Sequence, residues 1–366
     1  MRHLKRLSVF MIPPLVLLIG GCGGSSSSGG SGGGSGSQTT TIYLAGYTTS
    51  PSGGTVVAEE WQLASGSSTA IATALPMPSG MTDSQANAIA VSGSDVYVAG
   101  RAYNSTGSFD AAYWVNGTAT PLSVPSGTRG LVYASGIAVS GSNVYVAGDL
   151  PSGGAGYWVN GTVTALPMPG GRTGYSEASG IAVSGSDVYV AGDVDANSAV
   201  YWVNGTATTL PLPSGIGVLG VTGIAVSGSN VYVAGNASNV TAEYWMNGAA
   251  TTLSLGTDPY ESGARGMTAS GSDVYVAGFG VSLTGNETAA YWLNGKAWVL
   301  PMPSGMVMAY ATGVAVSGGN VYVAGYAEDR TGNYTAVLWT NGIATTLPTP
   351  SGMAQSEADA IAVSTQ

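Results

Sequence analysis

The chain has 366 residues and a net charge of −10 at pH 7, with nine Lys or Arg residues against nineteen Asp or Glu residues. An excess of negative charge repels the phosphates of nucleic acids, so the composition argues against DNA or RNA binding. The single cysteine excludes an intrachain disulfide, and the single histidine, His3, leaves little material for Ser–His or Cys–His catalysis.

The first residues have the pattern of an export signal. Three basic residues precede an apolar stretch over residues 7–19, which is shorter than the ~18 residues expected of a membrane-spanning helix. The stretch ends in small residues followed by Cys22, and this ending resembles the lipobox of bacterial lipoproteins. The resemblance implies that residues 1–21 are removed and that Cys22 is lipidated. Gly23 after the cysteine implies the outer membrane of the bacterial cell envelope.

Removal of residues 1–21 would leave six basic residues against nineteen acidic ones, a net charge of −13, and no histidine. Residues 22–40 are then the lipidated cysteine and a Gly/Ser-rich tether, because such a stretch cannot bury apolar surface. The folded part is predicted to span residues 41–366. We expect a monomer that contacts the membrane through its lipid anchor only.

One segment recurs seven times in the folded part, at intervals of 43 to 54 residues. Its core, Tyr-Val-Ala-Gly or a close variant, begins at Tyr43, Tyr97, Tyr145, Tyr189, Tyr232, Tyr275 and Tyr322. An Ile-Ala-Val-Ser-like run precedes the other copies, but it is missing before Tyr43 and stands instead at residues 361–364, near the C-terminus. A repeat that takes its first strand from the opposite terminus predicts a closed ring.

Each repeat contains four short apolar runs, as at residues 137–140, 144–147, 156–159 and 163–166. Ser-Gly-Ser and Asn-Gly turns join the runs in pairs, which is typical of tight hairpins. No period of 3.6 residues appears, so the prediction is an all-β, seven-bladed β-propeller with four antiparallel strands per blade. The C-terminal strand is predicted to pair with the N-terminal strand beside residues 42–46.

One tryptophan marks the third run of every repeat, and these are Trp61, Trp114, Trp158, Trp202, Trp245, Trp292 and Trp339. A regular aromatic could form a ladder for ligand stacking. We interpret the series instead as packing between blades, because each interface of a ring needs the same large side chain.

The combination of Tyr-Val-Ala-Gly with Tyr-Trp-x-Asn-Gly resembles the Gly-rich propeller repeats of uncharacterised bacterial surface lipoproteins. The repeat is similar to WD40 and kelch propellers in architecture only, since it lacks the Trp-Asp dipeptide of the first and the glycine pairs of the second. The resemblance covers about residues 41–366 and implies a fold and a location. It implies no activity, because propellers host unrelated functions.

The Ser-Gly-Ser and Asn-Gly turns are nearly constant, and in a four-stranded meander they share one face of the disc. The other two loop classes vary in length and content and are predicted to share the opposite face, where binding is expected. We count back from the first residue of the first apolar run of each repeat, such as Ile89. Two positions before it, a polar ring is predicted from Asn87, Ser135, Ser179, Thr222, Arg265, Thr312 and Asp359. Four positions before it stand Gln85, Tyr133, Glu177, Gly220, Gly263, Tyr310 and Glu357. These residues either cap strand ends and hold water, or form a shallow polar site with Tyr133 and Tyr310 as stacking surfaces. The candidate ligand-binding residues are Gln85, Tyr133, Glu177, Arg265, Tyr310, Glu357 and Asp359.

Residues 193–197 resemble the opening of a calcium loop, through Asp193, Asp195 and Asn197. The positions for the invariant Gly and the closing Glu hold Ser198 and Asn204, so a solvated turn is the better interpretation. No metal site and no cofactor are predicted.

Three functions remain open. The first is a tethered module that binds a protein or glycan, and the second is a purely structural subunit of the envelope. The third is a polysaccharide hydrolase that uses paired carboxylates from Glu177, Glu357 and Asp359. We expect no enzymatic activity, because the mature chain has neither histidine nor a free thiol.

Overall fold

The computed structural model describes residues 39–366, except 106–108, 125–131, 152, 172, 196–197, 213–216, 238–240, 256–258 and 283–284. Within these ranges the chain forms seven four-stranded antiparallel sheets. The predicted all-β, seven-bladed propeller is therefore confirmed. The predicted signal peptide, Cys22 and the tether up to residue 38 lie outside the described residues.

In chain order the strands are β1 (Thr40–Thr49), β2 (Val56–Ala64), β3 (Ile71–Ala74), β4 (Asp83–Ser92), β5 (Asp95–Tyr103), β6 (Phe109–Val115), β7 (Thr118–Pro121), β8 (Tyr133–Ser140), β9 (Asn143–Leu150), β10 (Gly154–Val159), β11 (Thr162–Ala165), β12 (Ser176–Ser184), β13 (Asp187–Val194), β14 (Ser198–Val203), β15 (Thr206–Thr209), β16 (Val218–Ser227), β17 (Asn230–Ala237), β18 (Thr241–Met246), β19 (Ala249–Leu253), β20 (Pro259–Ser270), β21 (Asp273–Ser282), β22 (Glu287–Leu293), β23 (Lys296–Val299), β24 (Met306–Ser317), β25 (Asn320–Asp329), β26 (Tyr334–Thr340), β27 (Ile343–Thr346) and β28 (Gln355–Thr365). A single 3₁₀ turn at Pro169–Gly171 is the only helical element among the described residues.

Blade 1 joins the two ends of the chain, with the strand order β28-β1-β2-β3, and blades 2 to 7 each use four consecutive strands. In blade 1, Ile361 lies opposite Leu44 and Val363 lies opposite Ile42 in an antiparallel register. The innermost strands β28, β4, β8, β12, β16, β20 and β24 contact one another in that cyclic order. The predicted closure of the ring by the C-terminal strand is therefore confirmed.

The seven repeat tryptophans form the core between blades. All are completely buried, and each indole Nε1 donates a hydrogen bond to a carbonyl oxygen that follows the outermost strand of the preceding blade. For example, Trp114 bonds Pro76 at 2.7 Å and Trp202 bonds Pro167 at 2.8 Å. Burial of the ring combined with a partner for its N–H is the usual arrangement for an interior tryptophan. These contacts confirm the packing interpretation and exclude a stacking ladder.

The Asn-Gly turns hold one face of the disc together, which we call the uniform face. The asparagine of each turn adopts a positive φ, such as 48° at Asn204, a conformation that asparagine and glycine tolerate best. Its side-chain oxygen also accepts a hydrogen bond from the start of the blade's second strand, as between Asn204 and the amide of Val188 at 2.9 Å. The Ser-Gly-Ser turns between the first and second strands lie on the same face. The loops between the second and third strands and the loops between blades lie at the opposite ends of the strands and form the variable face.

The glycine of each Tyr-Val-Ala-Gly segment makes room for the innermost strand. At Gly148, a Cβ atom would overlap the carbonyl oxygen of Tyr133, and at Gly325 it would overlap that of Tyr310. Any larger residue would push the first two strands apart close to the variable face. No helix in the described part of the chain is long and apolar enough to cross a membrane.

Candidate functional site

The predicted polar ring occupies one structural position in all seven blades. Each innermost strand has a β-bulge near the variable face, where one residue is skipped in the pairing with the second strand. A bulge leaves its extra residue unpaired and re-aims that side chain. The skipped residues are Asn87, Ser135, Ser179, Thr222, Arg265, Thr312 and Asp359. Because the innermost strands surround the axis, these positions form a circle around it.

Part of this ring is structural. The side-chain nitrogen of Asn87 donates to the carbonyl oxygen of Ala134 at 2.9 Å, and the hydroxyl of Thr312 donates to that of Ala358 at 2.6 Å. Both bonds reach the next blade, just before its own bulge. The strand-capping interpretation therefore accounts for these two residues, whereas Arg265 and Asp359 are the two charged members of the ring.

A second ring, which the sequence patterns did not predict, follows the glycine of each Tyr-Val-Ala-Gly segment. Its members are Tyr47, Arg101, Asp149, Asp193, Asn236, Phe279 and Tyr326. Each is the cross-strand partner of one residue of the set that begins with Gln85 and ends with Glu357. Asp149, for example, lies opposite Tyr133, and Tyr326 lies opposite Tyr310. The sequence offered one sign of this ring: its residue is the first one that varies between repeats after the nearly constant Tyr-Val-Ala-Gly segment.

In blades 3 to 5 the second ring carries short polar side chains that bond the next blade. Their oxygen atoms accept the amide of the residue before the neighbouring bulge: Asp149 from Ala178 at 3.0 Å, Asp193 from Val221 at 2.9 Å and Asn236 from Ala264 at 2.7 Å. These bonds compensate for the pairing that the bulge interrupts. This sector of the ring is therefore built mainly for stability.

Glu177 belongs to the same sector. It accepts a hydrogen bond from the hydroxyl of Tyr175 at 2.5 Å. Burial and, to a smaller extent, the charge of Glu177 raise the pKa of Asp149 to about 8. Burial likewise raises the pKa of Asp193 to about 7, again with a contribution from Glu177. The structure thus places the candidate Glu177 in an acidic cluster of blades 3 and 4.

Blades 6 and 7 contribute an arginine set among aromatic rings. The guanidinium carbon of Arg265 lies 5.2 Å from the ring centroid of Phe279 and 5.9 Å from that of Tyr310. Tyr310 stacks on Tyr326 with centroids 4.8 Å apart, and Tyr334 meets Tyr326 edge-on at 5.5 Å. Arg265 is partly exposed and makes no hydrogen bond or ion pair with the described residues. Its donors remain available to a ligand.

Two carboxyl groups of blade 1 adjoin this arginine. Glu357 and Asp359 are surrounded by protein on most sides but keep some exposed surface, as expected at a channel mouth. Burial raises the pKa of both groups, and the charge of Glu357 raises that of Asp359 further, while Arg265 lowers both. Tyr47 also hydrogen-bonds Glu357. The structure therefore brings the candidates Arg265, Tyr310, Glu357 and Asp359 together.

The remaining two candidates meet around an arginine that was not predicted. Arg101, which is 6% exposed, donates from Nε to the side-chain oxygen of Gln85 at 2.8 Å, and its Nη2 donates to the same atom. Its guanidinium carbon lies 5.4 Å from the Tyr103 ring centroid and 5.5 Å from that of Tyr133. Arg101 also lowers the pKa of Asp359, which places it beside the same mouth.

An open groove lies between blades 1 and 2, and it shares Gln85 with the surroundings of Arg101. It has a volume of about 540 Å³ and lies between the loop after β1, the start of β4 and the end of β5, with Gln85 and Tyr103 in its wall. All three segments belong to the variable face. The volume is within the range of small-molecule sites, about 300–1,000 Å³.

The weak calcium pattern does not gather its ligands. The carboxylate of Asp193 faces the amide of Val221, whereas Oδ1 of Asp195 accepts from the amide of Tyr175 at 3.3 Å. Asn197 lies outside the described residues. Across the described ranges, no three His, Cys, Asp or Glu side chains are grouped to hold a metal ion.

The sequence matches no protein-family model and no curated protein. Among solved structures, the chain is similar to the β-propeller domain of the Trilobed protease from Pyrococcus furiosus, with a TM-score of 0.49, 9% identity, and coverage of 85% of this chain and 93% of that one. It is also similar to the acylaminoacyl peptidase from Pyrococcus horikoshii, with a TM-score of 0.48, 12% identity and coverage of 85% of this chain. The chain spans 51% of that peptidase's length. At such identities the likeness concerns the propeller fold alone.

Proposed function

We propose that this protein is a binding module tethered to the bacterial cell envelope, which recognises a protein or a glycan through the variable face. The observation that carries the proposal is the environment of Arg265. Its guanidinium is held against Phe279 and Tyr310 and lacks a hydrogen-bonding partner among the described residues. A guanidinium that is oriented by aromatic rings and still has free donors is suited to bind a ligand.

The location rests on the N-terminal sequence. The apolar stretch, the small residues and Cys22 support a lipid anchor, and the Gly/Ser-rich residues that follow support a flexible tether. The resemblance to propeller lipoproteins of bacterial surfaces supports the outer membrane. A monomer without a cofactor suffices for this function.

The test is a double change of Arg265 and Tyr310 to Ala in the full chain, purified in mild detergent. Its matched control is the double change of Lys296 and Trp298 to Ala. That control also removes a cation and an aromatic ring, which lie 5.1 Å apart on the outermost strand of blade 6. The two variants should differ only in the site that they remove.

The probes are a glycan array and a cross-linked envelope extract analysed by mass spectrometry. A ligand captured by the wild type and by the Lys296/Trp298 variant, but not by the Arg265/Tyr310 variant, supports binding at the mouth. Equal capture by all three proteins would place binding elsewhere and overturn the proposal. Unchanged melting of both variants is the control for folding.

The pair of Glu357 and Asp359 favours a second candidate, a carboxylate-based polysaccharide hydrolase. Burial raises the pKa of both groups, and a carboxyl group with a raised pKa is suited to act as a general acid. Glu177 is three blades away and takes no part in this pair. Release of reducing sugar from polysaccharides by the wild type, and its loss in Glu357→Gln and Asp359→Asn, would establish this activity.

A further inference from the structure

The groove between blades 1 and 2 contains an amide whose orientation is determined by its neighbours. Three donors converge on Oε1 of Gln85: Nε and Nη2 of Arg101 and the hydroxyl of Tyr103, which lies at 3.1 Å. An amide that accepts three hydrogen bonds at one atom must place its NH₂ group at the other. The Nε2 atom donates to none of the described residues, while Gln85 lines the groove. The Gln85 amide is therefore oriented by its neighbours, and its NH₂ group is not used by the described residues.

The charges of the groove do not suit an anionic ligand. Among the described residues of its wall, Asp83 is the only charged side chain. The neighbouring Arg101 is 6% exposed and directs its Nε and Nη2 atoms at Gln85. Oδ1 of Asp83 accepts the amide of Val56 at 2.8 Å and its Oδ2 accepts the hydroxyl of Thr82 at 2.9 Å. The Asp83 carboxylate keeps lone pairs for further donors. It would repel a carboxylate or phosphate.

The groove is also unsuited to an apolar peptide side chain. Among the described lining residues, Val56 and Tyr103 are the only large apolar groups, and Gly53 and Gly54 form one side without side chains. A flat ring, an NH₂ donor and a carboxylate acceptor around an open space instead match a ligand with hydroxyl groups on a ring of weakly polar C–H groups.

We infer that this groove binds a neutral saccharide, with Nε2 of Gln85 donating a hydrogen bond, Asp83 accepting from hydroxyl groups and the Tyr103 ring covering one sugar face. The inference rests on the proposed function and names its ligand class. The groove shares Gln85 with the surroundings of Arg101, which lies beside the channel mouth, so a longer glycan reaches the groove and the mouth.

Two variants of the full chain in mild detergent test the groove. Gln85→Glu keeps an acceptor for Arg101 and Tyr103 but removes the NH₂ donor and adds a charge. Gly54→Leu removes no polar group and narrows the groove. It is compatible with folding because a Cβ atom there meets only the hydroxyl of Ser52 at 3.3 Å. Gln355→Glu is the matched control, since Gln355 lies on the same face at the start of β28 and donates to Asn333 at 3.4 Å.

The probes are an array of neutral and uronate oligosaccharides, followed by calorimetric titration with the strongest neutral binder. We expect Gln85→Glu and Gly54→Leu each to weaken binding about tenfold or more, as loss of a hydrogen bond to a buried group does, and Gln355→Glu to bind as the wild type. Unchanged affinity in both groove variants overturns the inference. So does an array on which only uronates or no saccharides bind.

The failure of this inference is distinguishable from that of the proposed function. If the groove variants bind normally while the Arg265/Tyr310 variant does not, the module binds its ligand at the mouth and only the groove assignment is wrong. If neither the array nor the envelope extract yields a ligand for the wild type, both are wrong.

Discussion

The indole nitrogen of Trp61 donates a hydrogen bond of 2.8 Å to the carbonyl oxygen of Pro348, 287 residues further along the chain. Trp61 lies on β2 in blade 1, and Pro348 follows the outermost strand of blade 7. Between consecutive blades the same bond joins residues only 34 to 38 positions apart, as for Trp245 and Pro211 and for Trp339 and Pro301. The junction between the two ends of the chain is therefore built like every other junction of the ring.

The C-terminal strand should be essential for stability. Removal of residues 360–366 eliminates Ile361 and Val363, which are 0% and 5% exposed, and uncovers β1. Burial of each side chain is worth ~1.5–3 kcal/mol, out of the ~5–15 kcal/mol that a native protein typically has. Thermal unfolding should show a large drop in melting temperature or an insoluble product. Deletion of seven residues within 23–37 is the control and should leave melting unchanged. Equal melting of the two truncations would contradict closure by β28.

The tryptophan bond at the seam should be measurable by itself. Trp61→Phe leaves the Pro348 carbonyl without its donor and opens a small cavity, for which we expect a loss of ~2–4 kcal/mol in the free energy of unfolding. Trp298→Phe is the control, because Trp298 is 46% exposed and stacks only on the outer surface of blade 6. Chemical denaturation gives both values. Similar losses for the two variants would show that the indole bond contributes nothing specific.

Stability should decrease as the pH rises through neutrality. The pKa of Asp149 is raised from 3.8 to about 8, and that of Asp193 from 3.8 to about 7. A carboxyl group with a raised pKa in the folded state favours folding while it is protonated. Its contribution to stability is therefore complete below pH ~4 and is lost as the pH approaches 8. The loss is ~1.4 kcal/mol for each unit by which the pKa of the group in the folded state exceeds its pKa in the unfolded state. Melting temperatures measured from pH 5 to pH 8 should fall.

The chain itself supplies the variant that tests this cause. In blade 5 the same position holds Asn236, whose amide accepts from the nitrogen of Ala264 and donates to its carbonyl oxygen. Asp193→Asn should therefore keep the bond to Val221, raise the melting temperature at pH 8 and flatten the pH profile. Asp110→Asn, at an exposed position, should leave the slope unchanged. A profile that stays equally steep in Asp193→Asn would assign the pH dependence to other groups.

Membrane attachment should depend on Cys22. Replacement of Cys22 by Ala removes the only thiol of the chain and should transfer the protein from the membrane fraction to the soluble fraction. A replacement of Ser27 by Ala in the tether is the control. Fractionation with detection of the propeller provides the measurement. An unchanged membrane pool in the Cys22 variant would reject the lipid anchor.

The repeat made the fold predictable in detail. The number of strands, the hairpin turns, the blade count and the pairing of Ile361 and Val363 with β1 all followed from a segment that recurs seven times. Similar segments fold into similar units, and each unit must bury its apolar faces against its neighbours in the same way. The function of the tryptophans was predictable for the same reason. Candidates could also be assigned to one face, since loop classes alternate between the two faces of a meander.

The arrangement of side chains at the mouth needed the tertiary structure. Seven bulges shift the first strand by one residue against the second, so that Tyr47, Arg101, Phe279 and Tyr326 join the site although no pattern singled them out. Which candidates meet depends on blade order around a closed ring: Glu177 lies apart from Glu357 and Asp359, and Gln85 joins Tyr133 through Arg101. The sequence by itself determined the repeated backbone, because local turns and alternating strands specify it. Only the tertiary structure decided the site, because its contacts join side chains from different blades. Burial and neighbouring charges in the folded ring determine the pKa values of these groups and which of their hydrogen-bond donors stay unpaired.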